Sequence, residues 1–309
     1  MRILFLGAGG IGGFFGGHLA RSGADVTFLV RERRAAQLRQ SGLVIDSPLG
    51  SFATPVKVAT QPSQVERPDV VVLACKAYDL ADAMDTIEPA LAHGTVILPV
   101  LNGLAHLDQL SSRFPNNPVW GGLAHLGVTM DNDGTIRHLN NLSIIQFGPR
   151  AGAVDKRAAQ FASLFAGTPV QASARPRIEQ DMWDKFVFLA TLAGMTCLMR
   201  ANVGAIVAID NGVRLMLQLL DECTAVAAAS GFSPSDGQLA TYRSQLTQHG
   251  STSKASMLRD IERGARTECE HILGDMMARA QRCGVDARLL QIAVTHVRAY
   301  EATRLNASQ

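Results

Sequence analysis

The glycine-rich segment GAGGIG at residues 7–12 most constrains what this chain can fold into. It follows the apolar run RILFL and precedes a helix-length segment and a second apolar run, DVTFLV. Between a strand and a helix, this glycine spacing permits a tight turn, close approach of a pyrophosphate and close packing of the helix on the strand. Free N–H groups at the start of the helix then face the phosphates. The residues predicted to bind a dinucleotide are Gly7, Gly9, Gly10, Ile11 and Gly12. A glycine-rich turn in another kind of βα unit is the alternative, which the flanking strands disfavour.

The end of the second strand indicates which dinucleotide binds. This place usually carries Asp or Glu in units that bind NAD, but 19 residues after Gly12 the chain has Arg31, with Arg33 and Arg34 close behind. A carboxylate would repel the 2′-phosphate of NADP, whereas a guanidinium can bind it through two parallel hydrogen bonds. Glu32 stands one position late, and a solvent-exposed run of charges is the alternative. The pattern favours NADP(H), with Arg31 as a contact.

The chain changes its pattern near residue 172. Before that point, strand-like runs alternate with helix-length segments; the runs are RILFL, DVTFLV, DVVVLAC, TVILPV, PVWGGLA and LSIIQFG. This alternation predicts a mostly parallel sheet with helices on both faces. From about Glu179 to Ala307 long helical patterns dominate, and breaks are expected at Gly204, at Gly212, at SGFSPSDG and at Gly284. We therefore predict a Rossmann-type α/β domain over residues 1–172 and an all-α domain over residues 173–309.

Composition excludes several classes of protein. The chain has 309 residues, of which 47% are hydrophobic and 18% charged, as in globular proteins. A net charge of +2 with no dense basic run beyond RERR argues against a nucleic-acid partner. Five scattered cysteines without a C-x-x-C pair predict reduced thiols, a cytoplasmic location and no metal site. The longest near-apolar stretch, residues 186–199, is shorter than the roughly 20 residues of a membrane span. We expect a buried helix there and no membrane partner.

Two loops follow predicted strands at the edge where such sheets bind ligands. Lys76 comes directly after DVVVLAC, and Asn102 and Gly103 come after TVILPV. Because ligands bind outside the carboxyl ends of the strands, Lys76 and Asn102 are placed to contact cofactor or substrate. Taken singly, each is equally compatible with an ordinary loop residue.

Lys185 stands in the early turns of an otherwise apolar helix, WDKFVFLATLAG. Burial disfavours the ammonium form and lowers the pKa of a lysine, which suits it to proton donation near neutral pH. The alternative is a lysine that extends to the helix edge and pairs with Asp184 or Asp181. From this segment alone, the alternative is preferred.

A later segment, SKASMLRDIERGARTECEHILGDMM, contains Ser256 and Glu268, which are 12 residues apart. On one straight helix this spacing would rotate them by about 120° relative to each other. They can face one pocket only if the helix breaks, and Gly264 is the expected place. A surface carboxylate in a first helical turn is the alternative for Glu268.

Together these segments resemble the ketopantoate reductase family (2-dehydropantoate 2-reductase) over essentially the full length of the chain. The resemblance is carried by ILFLGAGGIGG, Arg31, CKAYD, LNG, WDKF and SMLRDIERGARTE, which occur in the order and spacing of the family. It implies a Rossmann domain followed by a helical domain, NADPH as cofactor and reduction of a 2-oxo acid.

The resemblance also implies roles for individual residues. The catalytic lysine of the family falls on Lys185 and its carboxylate partner on Glu268, while the substrate-binding asparagine and serine fall on Asn102 and Ser256. The cofactor contacts that match are Arg31, Lys76 and Asn102. Lys185 would be the general acid that protonates the developing alkoxide while hydride arrives from the nicotinamide. Glu268 would orient this lysine or hold a substrate hydroxyl.

The chain departs from the family at two positions on the lysine helix. The family pattern K-x-x-x-N-x-x-x-N places two asparagines on the face of the lysine, but here those positions are Leu189 and Ala193. A pocket that lacks such polar groups favours less polar substrates. We therefore predict an NADPH-dependent reductase of a 2-oxo acid, with ketopantoate as the leading substrate and a less polar 2-oxo acid as the alternative. Leu189 and Ala193 would lie in the substrate site.

The sequence is also compatible with other functions and assemblies. A hydroxyacid dehydrogenase of the 6-phosphogluconate type also joins a Rossmann domain to helices, but the glycine-rich substrate loop expected before its lysine helix is absent here. A non-catalytic NADP(H)-sensing protein would tolerate Leu189 and Ala193. Apolar helices such as VRLMLQLLDECTAVAAA are compatible with a homodimer, and equally with a core.

Overall fold

The computed structural model describes residues 1–306 and divides the chain into two compact units. The first comprises Met1–Leu101 and His106–Glu179, and the second comprises Asn102–Ala105 and the chain from Gln180 onward. The first unit extends seven residues beyond the predicted boundary at residue 172, which falls inside a strand of residues 171–174 that pairs within the first unit. The last three residues of the predicted helical domain, 307–309, lie outside the described part of the chain.

The first unit contains a parallel sheet and a second, mixed sheet. Its strands are β1 (Arg2–Leu6), β2 (Asp25–Leu29), β3 (Leu43–Asp46), β4 (Phe52–Thr54), β5 (Lys57–Ala59), β6 (Val70–Leu73), β7 (Val96–Pro99), β8 (Trp120–Met130), β9 (Ile136–Pro149) and β10 (Gln171–Ala174). Its helices are α1 (Gly10–Arg21), α2 (Glu32–Ser41), α3 (Leu80–Ile87), most of α4 (Ala105–Arg113) and α5 (Lys156–Ser163). The parallel sheet has the order β5-β2-β1-β6-β7, which confirms the predicted Rossmann-type architecture.

Two of the predicted strands lie outside the parallel sheet. PVWGGLA and LSIIQFG become parts of β8 and β9, which pair antiparallel in a sheet of order β10-β9-β3-β4. Only residues 131–135 connect them, in a turn where the N–H of Asp131 donates to the carbonyl oxygen of Thr135 at 2.9 Å. A connection this short cannot contain a crossover helix, so the two strands form a hairpin.

Helix α1 packs on both sheets because glycines leave parts of its surface without side chains. A β-carbon at Gly16 would lie 2.6 Å from the ring of Phe28 on β2, and one at Gly17 would lie 2.6 Å from Leu43 on β3. Larger side chains at these positions would force the sheets away from the helix. The close packing fixes the start of α1 at the end of β1.

The second unit is helical in its described part, as predicted. Its helices are α6 (Ile178–Met199, of which the first two residues belong to the first unit), α7 (Val203–Val207), α8 (Gly212–Ala229), α9 (Asp236–Leu246), α10 (Ser256–Glu262), α11 (Asp275–Cys283) and α12 (Arg288–Asn306). A π-helical segment, Glu270–Gly274, leads into α11.

Most of the expected helix breaks are found. Helix α8 begins at Gly212, SGFSPSDG separates α8 from α9, and Gly284 ends α11 with φ +67°. The break expected at Gly204 was wrong, since Gly204 lies inside α7. The break falls earlier, where Arg200 adopts φ +53° and the side chain of Asn202 caps α7.

Helix α6 is long and apolar enough, by length and composition, to cross a membrane. However, 67% of its most apolar window is buried inside the protein, and side chains such as Phe186, Val187 and Met195 are almost fully enclosed. This burial is typical of a core helix and agrees with the interpretation drawn from the sequence.

Candidate active site

The glycine-rich loop follows β1 at the point where the strand order of the parallel sheet reverses. Gly7 has φ +92°, a conformation that side chains rarely adopt. Added β-carbons at Gly7 and Gly9 would meet no atom within 4 Å, so the main chain there is open to a ligand. A β-carbon at Gly12 would lie 2.7 Å from the carbonyl oxygen of Gly7. The turn, the open main chain and the close packing are what a pyrophosphate-binding loop requires.

The start of α1 supplies hydrogen-bond donors at this loop. The helix begins at Gly10, so the N–H groups of Gly10, Ile11 and Gly12 have no acceptor within the helix. The first turn contains no acidic side chain that would repel an anion. Lys76 follows the adjacent strand β6 and is exposed. The residues present therefore fit the diphosphate of a dinucleotide.

Arg31 lies at the N-cap of α2 and is exposed. Across residues 1–306 its guanidinium forms no ion pair, whereas the neighbouring carboxylate of Glu32 accepts a hydrogen bond from Arg39 at 2.9 Å. The carboxylate next to Arg31 in the chain is thus engaged on α2, and Arg31 is exposed to an anionic ligand.

Arg34 has a different environment from the other arginines of RERR. Its Nε donates to the carbonyl oxygen of Ala8, inside the glycine-rich loop, at 3.1 Å, and its Nη1 donates to Gln37 at 3.3 Å. Burial lowers the pKa of Arg34, and the charge of Asp133 partly offsets this. Arg34 therefore stabilises the glycine-rich loop through Ala8, a role that reasoning from the sequence missed.

In the second unit, Lys185 lies about two turns into α6. Its Nζ donates a hydrogen bond to Oδ1 of Asn102 at 3.2 Å. Although the side chain as a whole is only half-buried, loss of water around the amine lowers the pKa of Lys185 from 10.5 to about 8. A pKa lowered in this way suits the amine to proton donation near neutral pH.

Glu268 lies just after the predicted helix break. Helix α10 ends at Glu262, and Gly264 adopts φ +67° while the N–H of Ala265 donates to the carbonyl oxygen of Asp260 at 2.8 Å. Glu268 is only 9% exposed. Beyond the break, its charge acts on the ring of His271 in the π-helical segment: burial lowers the pKa of His271, and the charge of Glu268 partly offsets this.

Ser256 is the first residue of α10 and is exposed. The N–H of the preceding residue, Ala255, donates to Oγ1 of Thr196 on α6 at 3.4 Å. By the period of the α-helix, Thr196 is rotated only about 20° from Lys185 around α6. The same face of α6 therefore carries Lys185 and the side chain that contacts Ala255, the residue before Ser256.

Leu189 and Ala193 lie on this same face, rotated from Lys185 by about 40° and about 80°. Leu189 is half-buried, whereas Ala193 is only 3% exposed. The face between the amine of Lys185 and the start of α10 is thus apolar at both positions where the family pattern has asparagine.

The described residues, 1–306, contain no group of three or more His, Cys, Asp or Glu side chains that could hold a metal ion. Burial raises the pKa of Cys197, Cys223 and Cys269 to about 12, which makes these thiols poor nucleophiles and poor metal ligands.

Comparisons with known proteins match both units to one family. The family described as ketopantoate reductase PanE/ApbA matches residues 3–152, and the C-terminal part of the same family matches residues 177–301. The uncharacterized oxidoreductase YkpB of Bacillus subtilis is 36% identical, over 98% of this chain and 100% of its own. The 2-dehydropantoate 2-reductase of Halobacterium salinarum is 29% identical, over 91% of this chain and 92% of its own. The crystal structure of 2-dehydropantoate 2-reductase from Methylococcus capsulatus, 27% identical, matches with a TM-score of 0.89 over 98% of each chain.

Proposed function

Because the chain belongs to the ketopantoate reductase family and is an oxidoreductase of that family, we propose that it reduces a 2-oxo acid with NADPH. The observation that carries this proposal is the desolvated amine of Lys185, held 3.2 Å from Asn102 Oδ1. When bound, NADPH supplies the hydride that the carbonyl carbon accepts. The carbonyl oxygen then takes a proton, and the product is a 2-hydroxy acid.

Lys185 is the proposed source of that proton. An ammonium has three N–H donors, so Lys185 can hold Asn102 and still donate to a carbonyl oxygen. Its positive charge stabilises the developing alkoxide before the proton moves. With a pKa of about 8, the amine is mostly protonated at neutral pH yet releases its proton readily. Glu268, buried beside His271, is proposed to orient the lysine or to hold a substrate hydroxyl.

The first unit is proposed to bind NADPH. The N–H groups of the glycine-rich loop and of the start of α1 would bind the diphosphate, and Lys76 would contribute a positive charge at the end of β6. Arg31 would bind the 2′-phosphate, since its guanidinium is exposed and the adjacent Glu32 is paired with Arg39.

Leu189 and Ala193 set the proposed substrate class within the 2-oxo acids. Neither side chain can donate or accept a hydrogen bond, so the hydroxyl of ketopantoate would lose its partners on α6. A 2-oxo acid with an apolar side chain would lose no hydrogen bond to α6 and would bury that side chain against Leu189. Ser256, exposed at the start of α10, is proposed to bind the substrate at the other end of this face.

The test is to follow NADPH absorbance with ketopantoate and with a series of 2-oxo acids whose side chains become larger and less polar. We expect turnover of at least one of them by the native protein. Lys185→Ala should lower kcat by about 100- to 10,000-fold while the Kd for NADPH stays within about twofold. The matched control is Lys156→Ala, an exposed lysine at the start of α5, which should behave as native.

Two results would reject the proposal. Tight NADPH binding without consumption of NADPH by any 2-oxo acid would favour an NADP(H)-sensing protein. Equal loss of turnover and of NADPH affinity in Lys185→Ala would contradict the role of proton donor.

The cytoplasmic location and the homodimer stay predictions. Light scattering on the purified protein would test whether it forms a homodimer.

A further inference from the structure

His271 lies in the π-helical segment Glu270–Gly274, three residues after Glu268. The carbonyl oxygen of Glu268 accepts the N–H groups of both His271 and Ile272, at 3.2 and 3.1 Å, which fixes His271 relative to Glu268. Single π-helical turns are rare and often occur at functional sites, because they displace the side chains that follow from their normal helical positions.

The main chain of His271 packs directly on the turn that carries Asn102. Gly103 has φ +82°, and an added β-carbon there would lie 2.8 Å from the carbonyl oxygen of His271 and 3.2 Å from its ring carbon Cδ2. Both the conformation and the lack of space require glycine at position 103. The turn and the π-helical segment are thus in close contact.

The ring of His271 also hydrogen-bonds the main chain of Asn102. This contact raises the pKa of His271, as happens when a ring N–H donates to a carbonyl oxygen. The larger effect is burial, which lowers the pKa and so favours the neutral ring. A neutral imidazole has one N–H, and this hydrogen bond determines which nitrogen carries it.

Asn102 is therefore held from two directions. Its main chain contacts the ring of His271, and its side-chain Oδ1 accepts the hydrogen bond from Nζ of Lys185 at 3.2 Å. Displacement of the turn would move Oδ1 and with it the preferred position of the amine. Misplacement of a reacting group by about 1 Å costs about 100-fold in rate.

We infer that His271 is a positioning residue of the reductase: it holds the Asn102–Gly103 turn so that Asn102 orients the amine of Lys185 towards the substrate carbonyl. This inference rests on the proposed function for its catalytic consequence, but the hold on the turn itself does not depend on activity. His271 touches neither hydride nor proton in this role, and it acts through Asn102.

Hydrogen–deuterium exchange of the full chain tests the hold on the turn without an assay of activity. His271→Phe keeps a ring but removes the donor, and His271→Gln keeps an N–H donor. We expect the amides of residues 102–106 to exchange faster in His271→Phe and at the native rate in His271→Gln. The matched control is His296→Phe on α12, which should leave this exchange unchanged. Unchanged exchange in a folded His271→Phe would overturn the inference.

Kinetics test the consequence for catalysis through a double-mutant cycle with Asn102→Ala. We expect His271→Phe to lower kcat by about 10- to 100-fold with little change in the KM for NADPH. If His271 acts through Asn102, the double variant should be no slower than Asn102→Ala alone. Multiplied losses in the double variant, or no rescue of kcat by His271→Gln, would overturn the inference. A native protein inactive on every 2-oxo acid would reject the proposed function, and the exchange measurement would still decide whether His271 holds the turn.

Discussion

Lys185 and Arg31 are both cations, but their surroundings suit them to different chemistry. The amine of Lys185 is desolvated and has a pKa of about 8, so its proton can move near neutral pH. The guanidinium of Arg31 is exposed and forms no ion pair within residues 1–306. One is suited to transfer a proton, and the other to bind a permanent anion.

At Arg31 we predict that a change of charge alters which cofactor is preferred. Arg31→Glu should raise the KM for NADPH by about 10- to 100-fold, since charge-assisted hydrogen bonds to a phosphate contribute about 1.5–3 kcal/mol each. The KM for NADH, which lacks the 2′-phosphate, should change little. Steady-state kinetics with both cofactors checks this, with Arg33→Glu as the matched change at the next exposed arginine. Equal losses for NADPH and NADH would contradict the assignment.

Helix α6 carries the determinants of the proposed substrate preference on one face. Lys185, Leu189 and Ala193 follow one another at intervals of four residues, and Thr196 on the same face meets the residue before Ser256. The proton donor and the selectivity positions are therefore held by one rigid element, so that selectivity can change while the chemistry is kept.

Leu189→Asn should restore a hydrogen-bonding group beside the amine. We expect kcat/KM for ketopantoate to rise and kcat/KM for apolar 2-oxo acids to fall, each by about fivefold, because one hydrogen bond contributes about 1 kcal/mol. Leu189→Met is the control, since it keeps an apolar side chain of similar volume. A parallel change for both substrates in Leu189→Asn would show that Leu189 does not select between them. We choose Leu189 rather than Ala193 because Ala193 is 3% exposed and leaves little room for a larger side chain.

Local patterns predicted those elements whose geometry depends on neighbouring residues. The roles of Gly7 and Gly12 and the break at Gly264 follow from short sequences, and the structure has the corresponding turn, contact and left-handed residue. The sequence did not distinguish the β8–β9 hairpin from a pair of parallel strands, because the apolar runs of both arrangements look alike. Only the short connection between the two strands indicates antiparallel pairing.

Contacts between distant parts of the chain could not be predicted from local patterns. His271 contacts Asn102 and Gly103 across nearly 170 residues, and a histidine in a helical segment carries no sign of this. Likewise, the RERR segment did not reveal that Arg34 alone turns towards Ala8.

In the molecule as a whole, the proposed reaction divides its requirements between the two units. The first unit has the glycine-rich loop, the start of α1 and Arg31, which suit it to phosphates. The second has the Lys185 amine, Asn102 and the buried Glu268, which suit it to proton transfer. The family match extends over both units, as expected if the proposed nucleotide chemistry and proton chemistry belong to one reaction.

The pH dependence of hydride transfer tests the role of Lys185 most directly. Stopped-flow single turnovers of NADPH with the best 2-oxo acid would be followed from about pH 6 to about pH 10. The amine donates only when protonated, so the reduction rate should be constant well below pH 8 and fall about tenfold per unit above it. The reverse oxidation of the 2-hydroxy acid needs the neutral amine and should rise through the same range. Lys185→Ala should be slow and should lose this transition. A native rate independent of pH across the range, or a transition near pH 8 that persists in Lys185→Ala, would contradict the account.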